Sequence, residues 1–116
     1  MEIKEEEYIR AKDGTIGKVI EKKENPDRYV IDDYGQIILE NYIVKHNKKL
    51  IDIIELGDYV NGNRINSIQL AKVDNGEIIK RLICQLNIYD SPIIYEDKDI
   101  KSIVTKEQFT SIEYKI

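Results

Sequence analysis

Apolar positions come in short runs along this chain, and the runs end at polar breaks rich in Asp, Asn or Gly. That punctuation predicts strands rather than long helices. Residues 6–12 and 15–22 read as two strands around Asp13-Gly14, a dipeptide that accepts positive φ and favours a hairpin. Beyond the polar turn 22–27, Tyr29–Ile31 and Gln36–Leu39 read as third and fourth strands, separated by Asp32-Asp33-Tyr34-Gly35, and residues 40–44 extend the pattern. His46–Lys49 reads as a turn or a single helical turn. Leu50–Leu56 reads as a strand that closes a first unit; its apolar positions are too dense for a half-exposed strand, so a central place is expected.

A second unit opens at Gly57. Asn61-Gly62 is the strongest hairpin signal in the chain. Ile65–Val73 and Glu77–Leu86 flank the turn Asp74-Asn75-Gly76, and residues 87–99 read as an irregular connection with a short strand at Pro92–Tyr95. Thr105 followed three residues later by Gln108 is the signature of a capped helical turn. Ile112–Ile116 reads as a last strand with Ile112, Tyr114 and Ile116 on one face.

The two halves echo each other. Glu7-Tyr8-Ile9, the Asp13-Gly14 turn and Ile16 match Asp58-Tyr59-Val60, the Asn61-Gly62 turn and Ile65. Ile43-Val44 before Leu50-Ile51-Asp52-Ile53 matches Ile103-Val104 before Phe109-Thr110-Ser111-Ile112. The expected fold is mostly β: two tandem small SH3-like barrel units, 1–56 and 57–116, or one duplicated β-barrel, with short helical turns. The second half is longer, which places an insertion near 84–99. The unmatched segments, Lys22–Leu39 and that insertion, are where a specific function is expected.

Composition agrees with the β reading. Ile occurs 23 times against Leu 6, Val 6 and Ala 2, and Ile suits a pleated strand where Ala and Leu favour helix. The net charge is −4, with acids interleaved among 14 Lys and only 4 Arg. A protein that binds a nucleic-acid duplex usually shows a basic stripe, and none is visible, so nucleic acid is an unlikely partner. The single cysteine, Cys84, excludes an internal disulfide framework and reads as a small core residue. No apolar run approaches the ~20 residues of a membrane span, and residues 1–7 do not resemble a signal peptide, so a cytoplasmic protein is expected.

Candidate chemistry is sparse. With one His, His46, and one Cys, no zinc set of the usual type can be assembled, and a nucleophile–base pair has no local signature. The acids Asp32-Asp33 and Glu96, Asp97 and Asp99 sit in turn-like surroundings. No enzyme, cofactor or metal is therefore expected. Binding is better supplied. Eight Tyr offer stacking faces with a polar handle; Tyr8, Tyr29, Tyr59 and Tyr114 read as core, while Tyr34, Tyr89 and Tyr95 fall at turns or loops. Arg28 and Arg64 lie beside turns. Arg28, Tyr34, Arg64 and Tyr89 are the candidate ligand residues, a set able to clamp a planar anion such as a nucleotide, between units or between protomers.

The stretch YIVKHNKKLIDIIELGDYVNG (42–62), the opening EYIRAKDGTIGKV and the ending IVTKEQFTSIEYKI resemble small proteins of phages and prophages of low-GC Gram-positive bacteria. The resemblance implies a phage accessory protein acting against host defence, in the host cytoplasm. It carries no catalytic residues. The leading expectation is a non-enzymatic protein that sequesters a small anionic host ligand, such as a signalling nucleotide. The alternative is a protein–protein module that inhibits a host enzyme or defence complex, with an exposed edge such as Leu50–Leu56 adding to the partner's sheet. A third is a weak nucleic-acid-binding barrel. Homo-oligomer formation is compatible with each.

Overall fold

Most of the strand-and-turn reading is realised in the computed structural model, which describes residues 2–111. The chain divides into two units, Met1–Ile53 and Ile54–Ile116; the sequence places the boundary after Leu56. Among the described residues the structure is mostly β, with eleven strands in three sheets and one short α-helix.

The first unit is a five-stranded antiparallel sheet in the order β4-β3-β2-β1-β5. Its strands are β1 (Tyr8–Ala11), β2 (Ile16–Lys23), β3 (Arg28–Ile31), β4 (Ile37–Leu39) and β5 (Ile43–Asn47). β2 is long enough to serve two neighbours: Ile16–Lys18 pair with β1, and the stretch from Val19 onward pairs with β3. Ile3, Ile9, Ala11, Val19, Tyr29, Ile31, Ile38 and Ile43 pack as its core. Arg10, in the middle of β1, is wholly buried and donates from Nη1 to the carbonyl of Ile53 at 3.1 Å.

Three expectations in this unit are corrected. Residues 40–44 do not continue a strand: Glu40–Tyr42 is a 3-10 turn and the chain is extended again from Ile43. His46 and Asn47, expected in a turn, lie within β5, and Leu50–Ile53 is a 3-10 helix rather than a strand. The Asn47 side chain accepts a hydrogen bond from the Lys49 N–H at 3.1 Å, which bends the chain as β5 ends. A dense apolar run fits a short buried helix as well as a buried strand, and periodicity does not arbitrate. Ile51, Ile53 and Ile54 are buried, so this segment offers no free edge.

The second unit contains β6 (Tyr59–Val60), β7 (Asn63–Arg64), β8 (Ser67–Lys72), β9 (Ile78–Cys84), β10 (Ile93–Tyr95), β11 (Ile103–Val104) and α1 (Lys106–Ser111). They form two three-stranded sheets, β10-β9-β8 and β11-β6-β7. Val60, Ile65, Leu82 and Cys84 are buried here. The expected cap of α1 is present: the Gln108 N–H donates to Thr105 Oγ1 and the Thr105 N–H donates to Gln108 Oε1. The expected strand Ile112–Ile116 lies outside the described residues.

The sequence echo has a structural counterpart. With β7 and β8 taken as two halves of one bent strand, the pairings β6–β7, β8–β9, β9–β10 and β6–β11 repeat β1–β2, β2–β3, β3–β4 and β1–β5. A 3-10 turn precedes the closing strand in both units, Glu40–Tyr42 before β5 and Asp97–Asp99 before β11. A buried acid precedes the opening strand in both. The Glu7 carboxylate accepts the Lys4 N–H, and the Asp58 carboxylate accepts the Glu55 N–H at 2.7 Å. The Glu7 carbonyl accepts the Val19 N–H, and the Asp58 carbonyl accepts the Ile65 N–H, each at 2.8 Å. The residue ahead of each acid has positive φ, 73° at Glu6 and 92° at Gly57. The Ile-Val echo does not share register: Ile43 lies opposite Ala11, whereas Ile103 lies opposite Val60.

Candidate functional site

The connection from β9 to β10 is the segment expected to hold an insertion, and it folds as a braced loop. Asn87 Oδ1 accepts the N–H groups of Tyr89 and Asp90 at 2.8 and 3.0 Å. The amide of Asn87 donates to the Asp90 carboxylate at 2.6 Å, and the amide of Gln85 donates to the carbonyls of Asn87 and Asp90. At the base, Asn66 and Gln85 exchange two further bonds: the Asn66 amide donates to the Gln85 carbonyl, and the Gln85 N–H donates to Asn66 Oδ1. This scaffold consumes the polar groups of the loop and leaves its apolar ones outside. Leu86, Ile88 and Tyr89 are 67%, 85% and 91% exposed. Three large side chains on one short loop thus stand in solvent, where they add nothing to the packing of the unit.

The equivalent connection in the first unit, from β3 to β4, also carries an exposed tyrosine. Tyr34 is fully exposed and has a φ of 56°. Asp32 shapes that turn by accepting the Lys18 N–H at 2.8 Å.

A groove of about 490 Å³ opens elsewhere in the second unit, lined by Leu56, Tyr59, Arg64, Asn66, Lys106 and Phe109 among others. The Tyr59 and Phe109 rings stack with centroids 4.6 Å apart. Arg64 lies opposite Tyr59 in the β6–β7 pair, and among the described residues its guanidinium makes no hydrogen bond or ion pair. Lys106 is paired with Glu55 at 2.7 Å. The groove therefore places a cation with no partner among the described residues beside an aromatic stack.

Of the four candidate ligand residues, Arg64 alone lines that groove. Arg28 opens β3, and its Nη1 donates to the carbonyls of Glu24 and Pro26 in the preceding turn. Arg28 and Tyr34 belong to the first unit, Arg64 and Tyr89 to the second. The short strand expected at Pro92–Tyr95 forms as β10, but Tyr95, grouped with the turn and loop tyrosines, is buried in it, and its hydroxyl accepts from the Asn63 amide at 2.7 Å.

The remaining titratable groups serve structure. Glu96 and Asp99 form a reciprocal cap on the 3-10 turn they bracket, and Glu96 also meets Arg81 at 3.4 Å. His46 Nδ1 lies 3.0 Å from Glu7 Oε1. Burial pushes the Glu7 carboxyl up, but the Lys4 N–H and the His46 ring outweigh it and hold the group below its ordinary value of 4.5. Cys84 is a free, buried thiol. Among the described residues no three His, Cys, Asp or Glu side chains gather as a metal site, and no helix is long and apolar enough to cross a membrane.

Sequence reasoning missed the bracing acids Glu7 and Asp58 and, on the β9–β10 loop, Leu86 and Ile88, which stand exposed beside the candidate Tyr89. The acids were marked by the echo itself, since each precedes the opening Tyr of its half. The trio carried a weaker sign: Leu86, Ile88 and Tyr89 alternate with Asn87 and Asp90 in a stretch too polar for a core strand. No family model, curated protein or solved structure matches the chain.

Proposed function

We propose that this chain is a non-enzymatic binding module that docks on another protein through the β9–β10 loop. One observation carries the reading: Leu86, Ile88 and Tyr89 are held out in solvent by a loop whose polar groups bond to one another. A rigid apolar knob enters a partner's pocket with little ordering cost, and aromatic and aliphatic anchors of this kind dominate interface energies. The resemblance to phage proteins makes that partner a host protein. Tagged protein incubated in lysate of a low-GC Gram-positive host should retain a stoichiometric partner, and Ile88→Asp with Tyr89→Ser should release it with an unchanged urea midpoint. Equal capture by variant and wild type would exclude the loop.

A second reading rests on Arg64. A guanidinium with no partner among the described residues, beside stacked rings, suits a planar anion such as a nucleotide. Titration calorimetry with a mononucleotide panel tests it, and absence of heat with every member refutes it. We also read each unit as SH3-like and the chain as a duplication. The repeated pairing order, the 3-10 turn before each closing strand and the repeated bracing acid support this.

A further inference from the structure

We infer that the outer edge of β8 is a pairing site for β8 of a second copy of this chain. β8 ends the sheet β10-β9-β8, and among the described residues no strand pairs with its other side. The β8–β9 hairpin fixes which backbone groups face that side. The Val73 N–H donates to the Glu77 carbonyl at 2.9 Å. In an antiparallel ladder the bonded residues alternate, so Ala71, Gln69 and Ser67 point their N–H and C=O groups at β9. Ile68, Leu70 and Lys72 point theirs outward.

An open edge invites strand addition unless it is blunted. The first unit supplies the comparison. There, among the described residues, no strand pairs with β2 beyond Val19 on its β1 side, and it carries Glu21, Lys22 and Lys23 along that stretch. The corresponding strand β8 reads Ser-Ile-Gln-Leu-Ala-Lys. It has one charge, at its end, no proline, and a regular register with β9 over all six residues. Leu70, near its centre, is 70% exposed.

A second copy fits this edge by symmetry. Antiparallel pairing about a two-fold axis at Leu70 sets Leu70 against Leu70, and Lys72 of each copy against Ile68 of the other. No like charges meet, and the outward groups of the three residues make about six inter-chain hydrogen bonds. So short a ladder buries well under the ~1,200 Å² of a stable interface, so the dimer is weak and concentration-dependent.

Sedimentation equilibrium over a wide concentration range tests this. The average mass should rise from the 13.6 kDa monomer toward twice that value. Leu70→Pro removes an outward N–H and no bond to β9, and edge strands tolerate proline at such positions. It should weaken association at least tenfold while circular dichroism and the melting temperature stay near wild type. Should Leu70→Pro misfold, Leu70→Lys sets two ammonium groups opposite each other and should also weaken the dimer, with partial recovery at high salt. A wild-type protein monomeric at millimolar concentration, or a dimer that survives Leu70→Lys undiminished, would overturn the inference.

Discussion

Removing the charge of Asp58 should loosen the second unit more than any other single carboxylate-to-amide change there. Asp58 is wholly buried. One carboxylate oxygen accepts the Glu55 N–H at 2.7 Å, and the other accepts the Lys106 N–H at 2.9 Å. The same side chain thus ties the turn that opens the unit to the first residue of α1. Asp58→Asn keeps the shape but retains one acceptor, and turns its NH₂ toward the other N–H. A hydrogen bond to a charged group contributes about 1.5–3 kcal/mol, and a buried donor left unpaired costs about 1–3 kcal/mol. The substitution should therefore cost about 2–4 kcal/mol, a large part of the ~5–15 kcal/mol that holds a domain together. At ~4–8 °C per kcal/mol for a domain of this size, the melt should fall by roughly 10 °C or more. Thermal melts by circular dichroism measure this, and hydrogen exchange should show protection lost at the Glu55 and Lys106 amides. Asp33→Asn, at an exposed turn position, is the control and should change little. A melt of Asp58→Asn within a degree or two of wild type would refute the brace.

Two further outcomes test the first unit. Glu7 is held below its ordinary carboxyl value of 4.5, so the unfolded chain binds that proton more readily than the native one; the stability it contributes is complete above 4.5 and drains as pH falls through the lower native value. Urea midpoints of wild type and Glu7→Gln should differ at neutral pH and converge on acidification below 4.5; a constant difference would refute the assignment. Gly17→Ala would place a Cβ 2.5 Å from Ile31 Cδ1 and 2.7 Å from Ile31 Cβ, and because the Ile31 Cβ is fixed by the β3 backbone, the sheet must shift, at about 1–3 kcal/mol. An unchanged urea midpoint for Gly17→Ala would show that β2 and β3 separate freely there.

The strands of this fold were legible where turn chemistry is local. Asp13-Gly14, Asn61-Gly62 and Asp74-Asn75-Gly76 all turn the chain, and the Thr105–Gln108 cap forms as its residues predict. Errors cluster where side chains far apart in sequence decide the outcome. The Leu50–Ile53 run is helical because Asn47 bends the chain before it, and Arg10 donates to Ile53 from a strand far away in sequence. The short strand at Pro92–Tyr95 was legible, but the burial of Tyr95 was not, because it follows from pairing with Leu82. Of the candidate site, Arg64 and Tyr89 fall on surface features of the second unit, whereas Arg28 is occupied by its own turn.

Two copies of one pairing scheme act as controls for each other. What both units possess, the bracing acid, the positive-φ residue before it and the 3-10 turn before the closing strand, is what the scheme requires to fold. What one unit alone possesses needs another cause. Both third-to-fourth strand connections carry an exposed tyrosine, but only the second adds Leu86 and Ile88 and the side-chain network of Asn66, Gln85, Asn87 and Asp90 that holds them out. Of the two corresponding strands, β8 carries a single charge, at its end, where β2 carries Glu21, Lys22 and Lys23. Exposed apolar surface lowers solubility and contributes nothing to the fold that carries it. Both departures lie in the second unit, and the contacts with other chains proposed above rest on them.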